Sequence, residues 1–223
     1  MIRLHVVVEG QTEETFVNNV LAPELGPLGV FANAHRVTTG RMKARTFRGG
    51  LLKYGHLRKD LDLWMSEDGH QESWFTTMID LYALPDDFPS FADCARVRDP
   101  IQRVECLEAG FAQDIDHRRF IPYIQLHEFE ALLFAEPRNF EVAFPGEASK
   151  IDDLMSIRNE FSSPEHIDDE TAPSKRILKI FSDYKKTVAG PEISAQIGMA
   201  ALRRECPHFD GWIRRIEQAA SIP

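Results

Sequence analysis

The chain has 223 residues, of which 43% are hydrophobic. This length is sufficient for one large domain or for one domain with a helical appendage. Its formal net charge of −9 argues against a protein that coats nucleic acid without selectivity. The sequence shows no signal-peptide pattern and no apolar run of membrane-spanning length, so we expect a cytoplasmic protein that does not interact with a membrane.

The first predicted element is a strand over residues 2–8, an apolar run rich in β-branched side chains, as in strands buried on both faces of a parallel sheet. Glu9 ends this run, and a helical spacing extends from Thr12 to Leu25. Open α/β sheets place their chemistry at such a turn from strand to helix. A simpler interpretation makes Glu9 a solvated strand end and lets Glu13 and Glu14 favour the helix dipole. That interpretation does not explain why an acid ends an apolar central strand.

A run of cations follows the second predicted strand, which covers residues 30–38. No acid lies between Glu24 and Asp60, whereas this segment contains Arg36, Arg41, Lys43, Arg45, Arg48, Lys53, Arg58 and Lys59. A solubilising surface normally mixes both signs of charge, so we interpret the segment as a contact for the phosphate backbone of nucleic acid. The predicted nucleic-acid-binding residues are Arg41, Lys43, Arg45, Arg48 and Lys53.

The rest of the first half alternates helices and strands. Helical spacing indicates a second helix over 50–67 and a third over 100–115, which Asp99 caps, while apolar runs indicate strands over 74–81 and 120–126. This order predicts an α/β fold with a mostly parallel four-stranded sheet flanked by helices. The remaining chain shows only helical signals, so we expect a helical C-terminal extension.

Three acids each follow a predicted strand: Glu9, Asp80 and Glu128. Because the carboxyl ends of parallel strands lie on one edge of a sheet, we expect these side chains to converge there. Clustered carboxylates repel one another and raise their pKa values unless a cation neutralises them. Oxygen-only sites suit Mg²⁺ or Mn²⁺, which bridge to substrate phosphates. The sequence therefore predicts a metal site that polarises a phosphodiester and activates water.

The cysteines and two histidines indicate structural roles. Cys94, Cys106 and Cys206 are odd in number and lack a metal-type spacing, so we expect reduced thiols and neither a disulfide framework nor a zinc site. His127 follows the fourth predicted strand, and His208 has no acid or nucleophile nearby in the sequence that would serve catalysis. We interpret both histidines as hydrogen-bonded structural residues.

Three motifs resemble those of known domains. VEGQTEETF, at residues 8–16, resembles the first motif of Toprim domains, the catalytic module of topoisomerases, primases and OLD-type nucleases. Together with HEFEALLF (127–134) and CPHFDGW (206–212), it resembles a small Toprim-like family named as a domain of unknown function 4276. Members of that family are typically encoded beside an ATPase in bacterial defence-like gene pairs. The resemblance covers nearly the whole chain, and HEFEALLF is its most specific part.

The resemblance implies a Toprim-like catalytic domain over 1–135, with the helical extension over 136–223 packed on it. It implies a nuclease that cleaves DNA or RNA with Mg²⁺ or Mn²⁺ and has an ATPase partner in phage defence. Glu9 matches the acting glutamate of the first motif, and Glu13 matches its second acid. The implied metal ligands are Glu9, Asp80 and Glu128, and the implied catalytic residues are Glu9, Glu13, Asp80, Glu128 and Glu130.

One departure from the Toprim pattern keeps a second interpretation open. Toprim domains usually carry an acid-x-acid pair after the third strand, but residues 80–82 here are DLY. In a complete site, Asp86 or Asp87, or Glu128 and Glu130, would supply the missing acid; a site that lacks it would bind fewer metal ions or none. The alternative function is a non-catalytic module that binds an ATPase or nucleic acid. The chain has no G-x-x-x-x-G-K-[ST] motif, so any ATP hydrolysis has to come from a partner, and an oligomer is compatible with the sequence.

Overall fold

A parallel β-sheet forms the centre of the fold. Its strands, in order across the sheet, are β2 (Val30–Arg36), β1 (Ile2–Val8), β3 (Ser73–Asp80) and, both paired with β3, β4 (Phe120–Ile121) and β5 (Ile124–Gln125). The predicted fourth strand is thus divided into two short pieces. Pro122 lies between them, where its missing N–H interrupts the hydrogen-bond ladder. The predicted mostly parallel α/β fold is confirmed.

The helices flank this sheet and fill the C-terminal half. They are α1 (Gln11–Phe16), α2 (Ala22–Leu25), α3 (Tyr54–Glu67), α4 (Phe91–Cys94), α5 (Pro100–Ile115), α6 (Ala148–Asn159), α7 (Pro173–Ile180), α8 (Lys186–Glu205) and α9 (Pro207–Ala220). A π-helical turn, Val17–Leu21, joins α1 to α2, so one continuous helical segment occupies the place of the first predicted helix. The Asp99 carboxylate caps α5 by accepting a hydrogen bond from the Gln102 N–H at 2.8 Å, as predicted.

The computed structural model describes residues 1–38, 53–167 and 171–221. Four of the five predicted nucleic-acid-binding cations, Arg41, Lys43, Arg45 and Arg48, lie outside these ranges. The fifth, Lys53, is exposed immediately before α3. The predicted phosphate contact of this segment therefore stays a prediction.

Two apolar cores lie on opposite faces of the sheet. Successive side chains of a strand point to opposite faces, and accordingly Val6 and Val8 enter one core while Val7 enters the other. The first core includes residues of α1, α8 and α9, among them the fully buried Trp212, whose Nε1 donates a hydrogen bond to Thr76 Oγ1 at 2.8 Å. The second core contains residues of α3 and α5. The C-terminal helices thus complete the core of the sheet, and the boundary at residue 135 stays a prediction.

The prediction that all three cysteines are reduced thiols is wrong for two of them. Cys94 at the end of α4 and Cys106 in α5 form a disulfide, which joins the loop after β3 to α5. Their separation of 12 residues does not by itself indicate a disulfide. The two cysteines meet because the loop folds back against α5. Cys206 is free and buried. Within the described ranges, no helix combines the length and apolar character that a membrane crossing requires.

Candidate active site

Two of the predicted acids meet at the carboxyl edge of the sheet. Glu9 directly follows β1, and Asp80 is the last residue of the neighbouring strand β3. The parallel register pairs Val8 with Met78, which brings the ends of the two strands level. The backbone N–H of Asp80 donates a hydrogen bond to Glu9 Oε2 at 3.3 Å. The arrangement expected from parallel strands therefore holds for this pair of carboxylates.

Glu13 belongs to the same edge because the turn between β1 and α1 folds its side chain inward. Its Oε2 accepts a hydrogen bond from the Gly10 N–H at 2.9 Å, and the side chain is buried. A Cβ atom on Gly10 would lie only 3.2 Å from this oxygen, so glycine permits the close approach. Glu14, in contrast, forms an ion pair with Arg36 at 3.1 Å. An interaction of Glu13 with the helix dipole does not by itself account for its burial beside other acids.

The two acids of the HEFEALLF segment have different partners. The segment leaves β5 through His127, whose positive φ of 61° turns the chain into the 3₁₀ helix Phe129–Ala135. Glu130 is fully buried, and its Oε1 accepts a hydrogen bond from the Tyr184 hydroxyl at 3.2 Å. Glu128 is half-buried, and its Oε1 accepts from the backbone N–H of Ser174, in the first turn of α7, at 2.6 Å.

Lys186, which the sequence did not single out, lies among the carboxylates at the start of α8. Its Nζ donates to Glu130 Oε2 at 3.0 Å and lies 3.6 Å from Asp80 Oδ2. Burial alone would lower the pKa of this ammonium group, but the charges of Asp80, Glu130 and Glu13 outweigh burial and raise it. Lys186 is therefore a fixed positive charge at neutral pH. Two adjacent lysines open α8 in the sequence, and nothing there distinguishes Lys186 from Lys185.

Four acids of this cluster bind protons more tightly than acids in water. Burial raises the pKa of Glu9 to about 7, and the neighbouring charge of Glu13 adds to this effect. Burial also raises the pKa values of Glu13 and Glu130, with Lys186 acting in the opposite direction. The pKa of Asp80 is well above its usual range because it is buried, although Lys186 opposes the shift. A second cation at this position would lower all four pKa values.

Asp80 also has an oxygen without a partner. Its Oδ1 is buried and receives no hydrogen bond from the described residues. Such an atom is costly in a fold, because buried polar groups normally have a partner. No group of three or more acid, histidine or cysteine side chains within the described ranges is arranged to hold a metal ion. Mg²⁺, however, usually binds through one or two carboxylates with water and substrate phosphate, so Glu9 and Asp80 fit its chemistry.

The structure also locates the candidates for the missing acid. Asp87 accepts a hydrogen bond from the Tyr54 N–H at 3.0 Å, at the start of α3, and Asp86 is exposed. Glu130 is close enough to Asp80 for its charge to raise the Asp80 pKa. Of these candidates, Glu130 therefore lies in the position to add a carboxylate to the cluster.

Both histidines form hydrogen bonds within the fold. His127 Nε2 donates to the Glu165 carbonyl at 3.0 Å, and its Nδ1 lies 3.0 Å from the Tyr82 hydroxyl oxygen. His208 Nε2 lies 3.0 Å from a carboxylate oxygen of Glu108. Glu165 in turn accepts hydrogen bonds from the backbone at the start of α9. These contacts agree with the structural interpretation of both residues.

The fold and the site define a parallel α/β protein with a buried cluster of carboxylates and one lysine at the carboxyl edge of its sheet. The chain belongs to the family described as "Domain of unknown function (DUF4276)", whose model matches residues 8–217. The predicted family membership is thus confirmed. None of the curated proteins matches the chain.

Among solved structures, the chain is similar to the C-terminal region of the Burkholderia pseudomallei OLD protein. The two chains are 14% identical with a TM-score of 0.49, over 99% of this chain and 100% of that one. It is also similar to the C-terminal region of the Xanthomonas campestris pv. campestris OLD protein, which is 13% identical with a TM-score of 0.39, over 97% of this chain and 98% of that one.

Proposed function

We propose that this protein is a Toprim-like, metal-dependent nuclease that cleaves phosphodiester bonds of DNA or RNA. The observation that carries the proposal is the Asp80 carboxylate, which is buried among other acids and has one oxygen without a hydrogen-bond partner among the described residues. Acids with strongly raised pKa values cluster at functional sites, since their repulsion destabilises a fold that makes no use of it. A divalent cation would bind the carboxylates of this cluster, and a phosphodiester would bind that cation.

The acids have distinct roles in this proposal. Glu9 and Asp80 would hold Mg²⁺ or Mn²⁺. Glu128, the third predicted ligand, is not arranged with them around one point among the described residues, so its Oε2 would join the ion only after a change of side-chain position. The bound ion would supply a polarised phosphodiester and an activated water. Glu13 supports Glu9 through the turn that its carboxylate closes at Gly10.

Glu130 and Lys186 act as a pair. Glu130 orients the ammonium group through the 3.0 Å contact and keeps it charged. The Lys186 side chain is 40% exposed, so a substrate oxygen can reach it. A fixed positive charge in this position stabilises negative charge that develops on a phosphate oxygen.

Cleavage would take place together with an ATPase partner in bacterial phage defence. The chain has no phosphate-binding loop of its own for ATP hydrolysis, and the family resemblance implies an ATPase encoded beside it. A non-catalytic module is the second candidate function. It is favoured by the contacts of Lys186, which partly neutralises Asp80 and Glu130 without a metal ion.

The test is incubation of the full chain, with and without its neighbouring ATPase, with DNA and RNA in Mg²⁺, Mn²⁺ or EDTA. Glu9→Gln removes one charge at nearly constant size, so cleavage should fall by orders of magnitude while stability stays level or rises. Glu14→Gln is the matched control, because Glu14 pairs with Arg36 outside the cluster, and it should cleave normally. Equal cleavage by Glu9→Gln and the unmutated protein would remove Glu9 from the site. Binding of nucleic acid without cleavage under any condition would favour the non-catalytic module.

A further inference from the structure

Residues 171–186 form a basic segment in an acidic protein. They contain five cations, Lys175, Arg176, Lys179, Lys185 and Lys186, against the single acid Asp183. The segment comprises α7 and the turn into α8. Three acids, residues 168–170, precede it in the sequence and lie outside the described ranges.

Three of these lysines have no counter-charge among the described residues. Lys175, Lys179 and Lys185 are exposed, and no acid of the described residues forms an ion pair with any of them. Two exposed apolar side chains lie in the same stretch of chain, Leu178 at 44% and Val188 at 62% exposure. We call the three lysines and these two apolar residues together the α7 strip: Lys175, Leu178, Lys179, Lys185 and Val188. Lysines that only solubilise a surface are normally mixed with acids.

The α7 strip is adjacent in the chain to two residues that contact the acidic site. Lys175 follows Ser174, whose N–H is held by Glu128 at 2.6 Å, and Lys185 precedes Lys186, which contacts Glu130 at 3.0 Å. Both ends of the basic segment are therefore attached to the HEFEALLF acids. On the helix, positions four apart are separated by about 6 Å along the axis, a spacing comparable to that of adjacent phosphates in one strand.

We propose that the α7 strip binds the phosphate backbone of the nucleic acid whose scissile phosphodiester lies over Glu9 and Asp80. The inference rests on the proposed function and adds a second set of cations to those predicted at residues 41–53. The lysines contact phosphates, while Leu178 and Val188 contact sugars and bases. Charge complementarity favours this occupant, because Lys185 of the strip directly precedes Lys186, whose ammonium group lies among the acids of the cluster.

The test compares two triple variants of the full chain. Lys175→Gln, Lys179→Gln and Lys185→Gln together neutralise the strip. The matched control is Arg96→Gln, Arg98→Gln and Arg118→Gln, which removes three exposed charges near the ends of α5, on the opposite face of the sheet from α7. Affinity for labelled single-stranded and duplex oligonucleotides is measured in EDTA over a series of salt concentrations, and cleavage is measured separately in Mg²⁺ or Mn²⁺.

Each phosphate contact contributes about 0.7 to the salt slope of single-strand binding, so the lysine variant should lose about 2 from that slope. At about 0.1 M salt this corresponds to affinity about 100-fold weaker, while the control binds like the unmutated protein. Unchanged affinity and slope in the lysine variant would overturn the inference, as would an equal loss in the control. Binding of polyglutamate as tight as that of an oligonucleotide would overturn it in favour of an acidic protein partner.

The separate assays keep the two proposals distinguishable. If the unmutated protein cleaves and the lysine variant binds and cleaves equally well, the proposed role of the α7 strip is wrong and the proposed nuclease function is supported. If nothing is cleaved but the lysine variant loses affinity, the proposed binding by the α7 strip is supported and the proposed nuclease function is wrong.

Discussion

The substitution Lys186→Met removes the ammonium group that contacts two buried carboxylates and keeps a side chain of similar length. Breaking one partner of a buried ion pair costs about 3–5 kcal/mol. The Lys186 side chain is 40% exposed, so solvent screens its charge, and we reduce the expected cost to about 1–2 kcal/mol. For a chain of this length, 1 kcal/mol corresponds to roughly 2–4 °C, so the melting temperature should fall by about 5 °C.

The loss should depend on pH in one direction. Without the ammonium group, the pKa values of Asp80 and Glu130, already raised by burial, rise further above their unfolded values. An acid with a raised pKa in the folded state destabilises the fold above that pKa, and the effect disappears as the pH falls below its unfolded pKa. The difference in melting temperature should therefore be largest in mildly alkaline buffer and vanish towards about pH 4.

Thermal unfolding followed by circular dichroism at both pH extremes measures this difference. The control is Lys185→Met, because the neighbouring lysine is exposed and forms no ion pair with the described residues. A loss of stability that is the same at both pH values, or the same in both variants, would refute the assignment of Lys186 to the acidic cluster.

Two further predictions concern packing around the site, both measured by thermal unfolding. Trp212→Ala removes a fully buried side chain and should cost about 3–5 kcal/mol, whereas a change below 1 kcal/mol would show that the last helix does not anchor the core. Gly190→Ala places a Cβ atom 3.0 Å from the Tyr184 hydroxyl and 3.3 Å from Phe129, so it should destabilise the fold. Gly211→Ala is also helical, but its Cβ atom would meet no described residue beyond its own helix backbone within 4 Å, so it should be neutral or stabilising; equal effects would contradict the close approach.

The sheet and the meeting of two acids could be predicted because both follow from local patterns. An apolar run with β-branched residues forms a strand, and parallel strands end on the same edge. Glu9 and Asp80 each directly end such a run, so their proximity needs no knowledge of the loops between them. The hydrogen bond from the Asp80 N–H to Glu9 is a direct consequence of the register between β1 and β3.

The partners from the second half could not be predicted in the same way. Lys186 and Tyr184 reach Glu130 only because α8 packs against α1 and the 3₁₀ helix after β5. A lysine at the start of a helix normally faces solvent, so its sequence context suggested nothing else. Glu128 and Glu130 could not be distinguished either, because their directions depend on the positive φ of His127 and on the position of α7.

The last prediction concerns the acid missing after Asp80. Beyond β3 the chain forms the 3₁₀ helix Leu81–Ala83, which directs the Tyr82 hydroxyl to His127 instead of the cluster. In the proposed function, Glu130, which contacts the same Lys186 ammonium group as Asp80, would supply the additional carboxylate from another segment. Cleavage should therefore fall by at least tenfold in Glu130→Gln, equivalent to about 1.4 kcal/mol of transition-state stabilisation.

Tyr82→Asp recreates an acid-x-acid pair in the sequence, but the backbone N–H of residue 82 donates to the His127 carbonyl at 3.0 Å and fixes the local path. An aspartate there should neither raise cleavage nor restore it in Glu130→Gln. Rates in Mn²⁺ and circular dichroism of all three variants separate lost chemistry from lost folding. Recovery of cleavage in the double variant would show that a carboxylate at position 82 reaches the site and replaces that of Glu130, which would refute the fixed local path. A rate increase in Tyr82→Asp alone would show that the site lacks an acid after β3 that Glu130 does not supply.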